Sequence, residues 1–115
     1  MARPFAYITS AWSADKRDAK EEAVLCCRKL YEAGYTPVCP VLSMNEYLHR
    51  ETAEENKDMQ DMAAEMLRRS RILVVCGKEM SEQVKNDIAL AKRAGVAATT
   101  LEGILTLEGQ TKKGR

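Results

Sequence analysis

The chain has 115 residues, which is the size of a single domain. Its 18 basic and 17 acidic residues nearly cancel, leaving a formal charge of +1. Sequence-independent nucleic-acid binding needs a clustered basic field, so this balance argues against a nucleic-acid partner.

Apolar runs are short throughout the sequence, and none approaches the roughly 20 residues that span a bilayer. The first residues, MARPFAYITSAW, lack the apolar core of a signal peptide. The four cysteines form no CxxC pair and have no histidine beside them, which predicts neither a zinc site nor a disulfide framework. We therefore expect a cytoplasmic protein with reduced thiols, no membrane partner and no metal site.

The first half of the chain predicts a strand, a long helix and a second strand. FAYIT, residues 5–9, is apolar and β-prone. Residues 14–33 place Ala23, Cys27 and Leu30 at helical spacing behind a possible N-cap at Ser13. YTPVCPVL, residues 35–42, is predicted as a strand. Its two prolines remove amide donors, so this strand is expected at a sheet edge.

The second half predicts two more helices and two more strands. A polar segment precedes a helix over residues 51–69, whose stripe of Met59, Met62 and Met66 indicates core packing or a dimer face. RILVVC, residues 71–76, is apolar on both faces, as a central parallel strand is. Residues 81–94 predict a helix and residues 96–101 the last strand.

This alternation predicts an α/β protein: a single Rossmann-like three-layer domain over residues 1–105, followed by a flexible tail over 106–115. The sheet is expected to have four to five mainly parallel strands, with helices on both faces. The C-terminal strand ends then share one rim, built from residues 9–13, 41–47 and 77–85. Ligands of such folds bind at this rim, where the strand order reverses.

Three segments of the rim carry a resemblance to a known family. YITSAW, AGYTPVCPVL and RILVVCGKEMSEQVKNDIALAKRAG occur in the order and spacing found in the nucleoside 2-deoxyribosyltransferase-like superfamily. That superfamily includes nucleotide N-glycosidases and small bacterial and phage proteins, and the likeness extends over about residues 5–101. The resemblance implies binding of a nucleoside or nucleotide, cleavage or transfer at its N-glycosidic bond, no cofactor, and assembly into a homo-oligomer.

The resemblance also implies roles for individual residues. Asp87 falls on the catalytic glutamate, Tyr7 on the active-site tyrosine, and Ser81 on a hydroxyl that approaches phosphate or sugar. A carboxylate in that position attacks the anomeric carbon or stabilises the positive charge that develops on the sugar. The rim adds further candidate ligand-binding residues, namely Ser10, Trp12, Tyr47, His49, Gly77 and Lys85.

Several positions depart from the family pattern. Asp87 is one methylene shorter than glutamate, and Gln83 and Lys85 replace glycines that leave room for a phosphate. Lys85 offers a charge in place of the lost amide contacts. Arg71 stands where the family commonly has an aspartate. The acid expected on the preceding helix has three candidates, and the sequence does not choose among Asp58, Asp61 and Glu65.

Simpler interpretations stand beside these roles. Ser81 can serve only as a helix cap, and Asp87 can serve only to favour the helix dipole. Trp12 either stacks on a base or contacts a partner subunit, and His49 is either a proton donor or an ordinary surface residue. The sequence thus leaves open an N-glycosidase or deoxyribosyltransferase, a non-catalytic binder of a nucleotide or ADP-ribose-like molecule, and an interaction protein without a ligand.

Overall fold

The computed structural model describes residues 3–10, 17–77 and 80–105, without the side chains of 17–19. In these residues, four strands are separated by one helix, then a pair of helices, then one helix. Trp12 and the predicted tail lie outside the described residues. The elements are β1 (Phe5–Ser10), α1 (Arg17–Glu32), β2 (Thr36–Val38), α2 (Pro40–Met44), α3 (Ala53–Arg68), β3 (Ile72–Cys76), α4 (Glu82–Ala94) and β4 (Ala97–Thr100). Residues 101–105 are also helical.

All four strands are parallel, in the order β2-β1-β3-β4. Because side chains alternate along a strand, β1 presents two different faces. Ala6 and Ile8 pack in a cluster with Leu30 of α1. Tyr7 packs with Leu67 of α3 and with Ala91 of α4. Helices therefore cover both faces of the sheet, and the predicted Rossmann-like three-layer fold is confirmed.

The reversal of strand order lies between β1 and β3. The chain leaves β1 toward β2 on one side and returns to β3 on the other, and Ser10 pairs in register with Cys76. The connections after these two adjacent strands therefore diverge to opposite faces. Divergence at the carboxyl ends of parallel strands opens a crevice, which is the usual ligand position in such sheets.

The second strand is shorter than the sequence predicted. Residues 35–42 were expected to be extended, but β2 ends at Val38 and a helix begins at Pro40. Proline suits the first position of a helix because its φ angle is already helical and its missing N–H has no partner to lose there. The expected edge position of this strand is confirmed, since β2 pairs only with β1 in the described sheet.

The predicted methionine stripe of α3 is only partly buried. Met59 and Leu67 are buried and Ala63 is half-buried, whereas Met62 and Met66 are 40% and 36% exposed. Each residue turns the helix by about 100°, so residues four positions apart lie on one face. Met59, Ala63 and Leu67 have this spacing. Met62 and Met66 lie at the flank of that face.

Helix α4 carries a carboxylate on its inward face. Its buried residues are Val84, Asp87 and Ala91, which recur at helical spacing. The helix begins after Ser81 and ends at Gly95, whose φ of 76° suits glycine. Asp87 is thus fixed between two apolar positions of a helix with both ends defined.

The described cysteines are all free thiols, with Cys26 and Cys76 buried and the other two half-buried. Among the described residues, no three His, Cys, Asp or Glu side chains gather as metal ligands would. Within the same residues, the helices are too short or too polar to cross a membrane.

Candidate functional site

A cavity opens at the carboxyl end of β1, between that strand and helices α2, α3 and α4. About 500 Å³ of empty space lies between these elements, a figure that includes the open solvent at the mouth. The residues around it mix apolar and hydrogen-bonding side chains: Tyr7, Ile8, Thr9, Ser10, Pro40, Val41, Met44, Arg50, Asn56, Met59, Gln60, Ala63, Gln83 and Asp87.

Asp87 is held in this cavity by two side chains. The hydroxyl of Thr9 donates to Oδ2 over 2.7 Å, and the amide of Gln83 donates to Oδ1 over 2.9 Å. Gln83 lies four residues earlier on α4 and therefore on the same side of the helix. Only 8% of Asp87 is exposed. Each carboxylate oxygen keeps a second lone pair, so the group can still interact with a ligand.

Burial raises the pKa of Asp87 above its ordinary value, because a charged carboxylate loses hydration inside the protein. The hydrogen bonds from Thr9 and Gln83 favour the charged form and act against this effect. Desolvation is the larger influence. The carboxyl group is therefore easier to protonate than a surface aspartate.

Tyr7 lies on the same side of β1 as Thr9 and is 3% exposed. Burial raises the pKa of its phenol, and the nearby negative charge of Asp87 raises it further. The phenol consequently keeps its proton throughout the neutral range. The two residues to which the family resemblance assigns catalysis, Tyr7 and Asp87, thus line one cavity, with the phenol available only as a neutral donor or acceptor.

Ser10 also lines the cavity, at the last position of β1. Its hydroxyl is buried and has no hydrogen-bond partner among the described residues. Buried hydroxyls are normally satisfied by protein, water or ligand. Because side chains alternate along β1, this hydroxyl lies on the same side of the strand as Ile8, opposite to Tyr7 and Thr9, and its contact with a ligand stays a prediction.

Three other predicted residues near α4 lie outside the cavity lining. Ser81 caps the helix by accepting the N–H of Val84 over 3.3 Å. Lys85 is exposed and faces Glu82, with 3.8 Å between Nζ and Oε1. Gly77 ends β3 with a φ of 86°. Their assigned contacts with a ligand stay predictions.

The residues predicted after the second strand are exposed and also lie outside the lining. Tyr47 is 59% exposed. His49 donates its backbone N–H to Glu55, and its ring Nδ1 lies 3.5 Å from the carboxylate of Glu51. Trp12 lies outside the described residues, so its predicted stacking role is not addressed by the structure.

None of the three candidate second acids lines the cavity, although all three lie on α3. Asp58 is exposed. Asp61 accepts a hydrogen bond from Lys57 over 2.7 Å, and Glu65 accepts one from Arg69 over 2.9 Å. Among the described lining residues, Asp87 is the sole carboxylate.

Sequence reasoning missed the wall that α3 and its preceding loop contribute. Asn56, Met59, Gln60 and Ala63 share one helical face, and Arg50 approaches from the loop. The sequence did contain a signal for this surface, because the amides of Asn56 and Gln60 lie beside Met59 on a helix whose other polar residues are mostly charged. The predicted stripe of methionines instead pointed to Met62 and Met66, on the other edge of the buried face.

The fold and the site define an α/β domain with a cavity at the reversal of its parallel sheet, holding one buried and hydrogen-bonded carboxylate. Residues 4–101 match the family described as "Domain of unknown function (DUF7768)", and the chain belongs to that family. No curated protein matches the chain.

Proposed function

We propose that this domain binds a nucleoside or nucleotide in the cavity, with the sugar beside Asp87. The observation that supports it best is the convergence of Asp87, Tyr7 and Thr9, from two elements, on a cavity at the reversal of the sheet. Met44 and Met59 add apolar surface against which a base can pack. The resemblance of the rim segments to nucleoside 2-deoxyribosyltransferase-like proteins supports the choice of ligand.

Binding without cleavage is the form of this function that the geometry favours. Glycosidic-bond hydrolysis usually employs two carboxyl groups, one at the anomeric carbon and one that protonates the leaving group. Among the described lining residues, Asp87 supplies the only carboxyl group, and both of its oxygens already accept hydrogen bonds. A sensor or sequestering protein needs none of this chemistry.

Cleavage of the N-glycosidic bond is the second candidate, supported by the position of Asp87 beside a protonated phenol. In this reaction the carboxylate bonds to the anomeric carbon as the base leaves with the electron pair of the C–N bond. The base then takes a proton, and water or a second base releases the sugar. Tyr7 would hydrogen-bond to the substrate through its neutral phenol, and water would supply the proton to the departing base.

A panel of nucleosides and their 5′-monophosphates distinguishes the two candidates when melting temperature and free base are recorded together. Ligand at a hundred times its dissociation constant adds about 2.7 kcal/mol of stability. A binder raises the melting temperature and releases no base. An enzyme releases base, and Asp87→Asn abolishes the release.

The matched control is Asp61→Asn, which removes an exposed carboxylate outside the cavity. This variant should show the same ligand-induced melting-temperature shift and the same release of free base as wild type. If no member of the panel shifts the melting temperature or loses its base, the proposed function is wrong in both forms. Assembly into a homo-oligomer and a cytoplasmic location stay predictions.

A further inference from the structure

We infer that the cavity contains an anion subsite at its mouth, formed by Arg50 with the amides of Asn56 and Gln60, which takes the phosphate of a nucleotide. The choice of a nucleotide over a nucleoside rests on the proposed function. The subsite itself rests on the residues that line this part of the cavity. It differs from the position that the family resemblance implied, near Ser81 and Lys85.

Charge is distributed unevenly around the cavity. Among the described lining residues, Arg50 is the sole cation and Asp87 the sole acid. Arg50 is exposed while Asp87 is buried, so the cation lies toward solvent and the carboxyl group lies inside. A ligand with a sugar near Asp87 and an anionic group directed outward fits this arrangement.

The backbone around Arg50 is fixed by the start of α3. Thr52 accepts the N–H of Glu55 over 3.3 Å and donates its hydroxyl to the carbonyl of His49 over 3.1 Å. Glu55 in turn accepts the backbone N–H of His49 over 2.9 Å. These three bonds close a small ring of contacts on both sides of Arg50. The backbone of Arg50 is therefore held in place, so binding does not also have to order the loop.

The guanidinium of Arg50 is not committed to an acid within the described part of the chain. The neighbouring carboxylates have other partners: Glu51 faces the His49 ring, and Glu55 accepts the His49 N–H. By contrast, Arg69 and Arg28 pair with Glu65 and Glu32 on their own helices. A planar guanidinium with open donors matches two oxygens of a phosphate.

The amides of α3 extend this donor surface into the cavity. Asn56 lies in the first turn of α3 and Gln60 one turn further, on the same face. Each amide supplies two N–H donors that can orient toward an anion. The start of α4 has fewer side chains available to bind an anion, because Ser81 caps the helix and Gln83 donates to Asp87.

The test compares calorimetric titrations at constant ionic strength of wild type, Arg50→Gln and Arg69→Gln with inorganic phosphate, acetate, and matched nucleosides and 5′-monophosphates. Arg69→Gln is the matched control, because it makes the same chemical change at an exposed arginine outside the cavity. We expect the monophosphate to bind wild type and Arg69→Gln about tenfold or more tighter than the nucleoside. Arg50→Gln should erase that preference and leave nucleoside affinity unchanged.

A phosphate preference that persists in Arg50→Gln, or one that is absent from wild type, overturns the subsite while leaving nucleoside binding intact. Acetate binding as tight as phosphate binding overturns the assignment to phosphate. If neither nucleosides nor nucleotides bind, the proposed function fails. In that case inorganic phosphate that binds wild type but not Arg50→Gln still supports the subsite, and equal or absent binding to both overturns it.

Discussion

The hydroxyl of Thr9 donates a 2.7 Å hydrogen bond to Oδ2 of Asp87, joining the end of β1 to the second turn of α4 across 78 positions of sequence. This bond orients the carboxyl group from outside its own helix, whereas the second hydrogen bond, from Gln83, comes from α4 itself. It also ties two elements on either side of the cavity. Asp87 is therefore a buried polar group with partners, and its properties depend on β1.

Replacing Thr9 with valine removes the hydroxyl and keeps the shape of the side chain. We expect Thr9→Val to lower the free energy of unfolding by about 1–3 kcal/mol, because a buried acceptor loses its donor. The pKa of Asp87 should rise further for the same reason. Urea unfolding measures the first effect, and titration by carboxyl-carbon NMR measures the second.

Thr99→Val is the matched control, since the hydroxyl of Thr99 makes only a 3.5 Å contact with the carbonyl of Thr100. It should change stability by less than about 0.5 kcal/mol. Equal losses in the two variants would mean that the Thr9–Asp87 bond contributes nothing of its own.

Asp87 makes stability depend on pH in the direction opposite to a salt-bridged aspartate. Its folded-state pKa is raised above the ordinary value of 3.8, so the native state binds a proton more tightly than the unfolded state does. The stability contributed by the protonated form is fully present below pH 3.8 and is lost as the pH rises through the raised folded-state value.

This sign is measured by comparing the pH profiles of melting temperature for wild type and Asp87→Asn. The asparagine does not titrate, so wild type should lose stability relative to the variant as the pH rises through that window. Asp61→Asn, at an exposed position, should run parallel to wild type. If the melting temperature of wild type rose relative to that of Asp87→Asn with increasing pH, the folded-state pKa of Asp87 would be lowered and not raised.

Alanine variants of the two helix caps distinguish an effect on stability from an effect on phosphate binding. Thr52 caps α3 and Ser81 caps α4, each by accepting a backbone N–H three residues later. Removing either hydroxyl with alanine should cost about 1 kcal/mol in urea unfolding. Only Thr52→Ala should also weaken phosphate binding, because its hydroxyl holds the loop that contains Arg50.

The comparison is informative because the two variants make the same chemical change. Isothermal titration with inorganic phosphate provides the second measurement. If Ser81→Ala weakened phosphate binding as much as Thr52→Ala did, the phosphate would lie at the start of α4, as the family resemblance implied.

The buried face of α3 predicts that alanine substitutions at two adjacent residues lower the free energy of unfolding by very different amounts. Leu67 is fully buried, whereas Met66 is 36% exposed. Leu67→Ala should destabilise the protein by about 2–5 kcal/mol, through lost burial and the cavity that remains. Met66→Ala should cost about 1 kcal/mol or less, because part of its side chain already contacts water. Similar losses in urea unfolding would mean that Met66 packs against another surface in solution.

The sequence by itself determined the order of the four strands and the three long helices, since each depends on local periodicity. Val74, flanked by apolar residues on both faces of β3, and Gly95 at the end of α4 are examples. Proline misled at one point, because Pro40 both ends an extended segment and begins a helix. Local preference cannot distinguish those two uses, and the choice depends on what packs against the segment.

The tertiary structure alone decided which polar residues meet. Thr9, Arg50 and Gln60 are unremarkable in the sequence, and only the crossing of α3 and α4 over β1 brings them to one cavity with Asp87. The same crossing turns Met62 and Met66 away from the core. Burial and hydrogen bonding across long sequence separations depend on the relative positions of elements, and periodicity within one element carries no record of those positions.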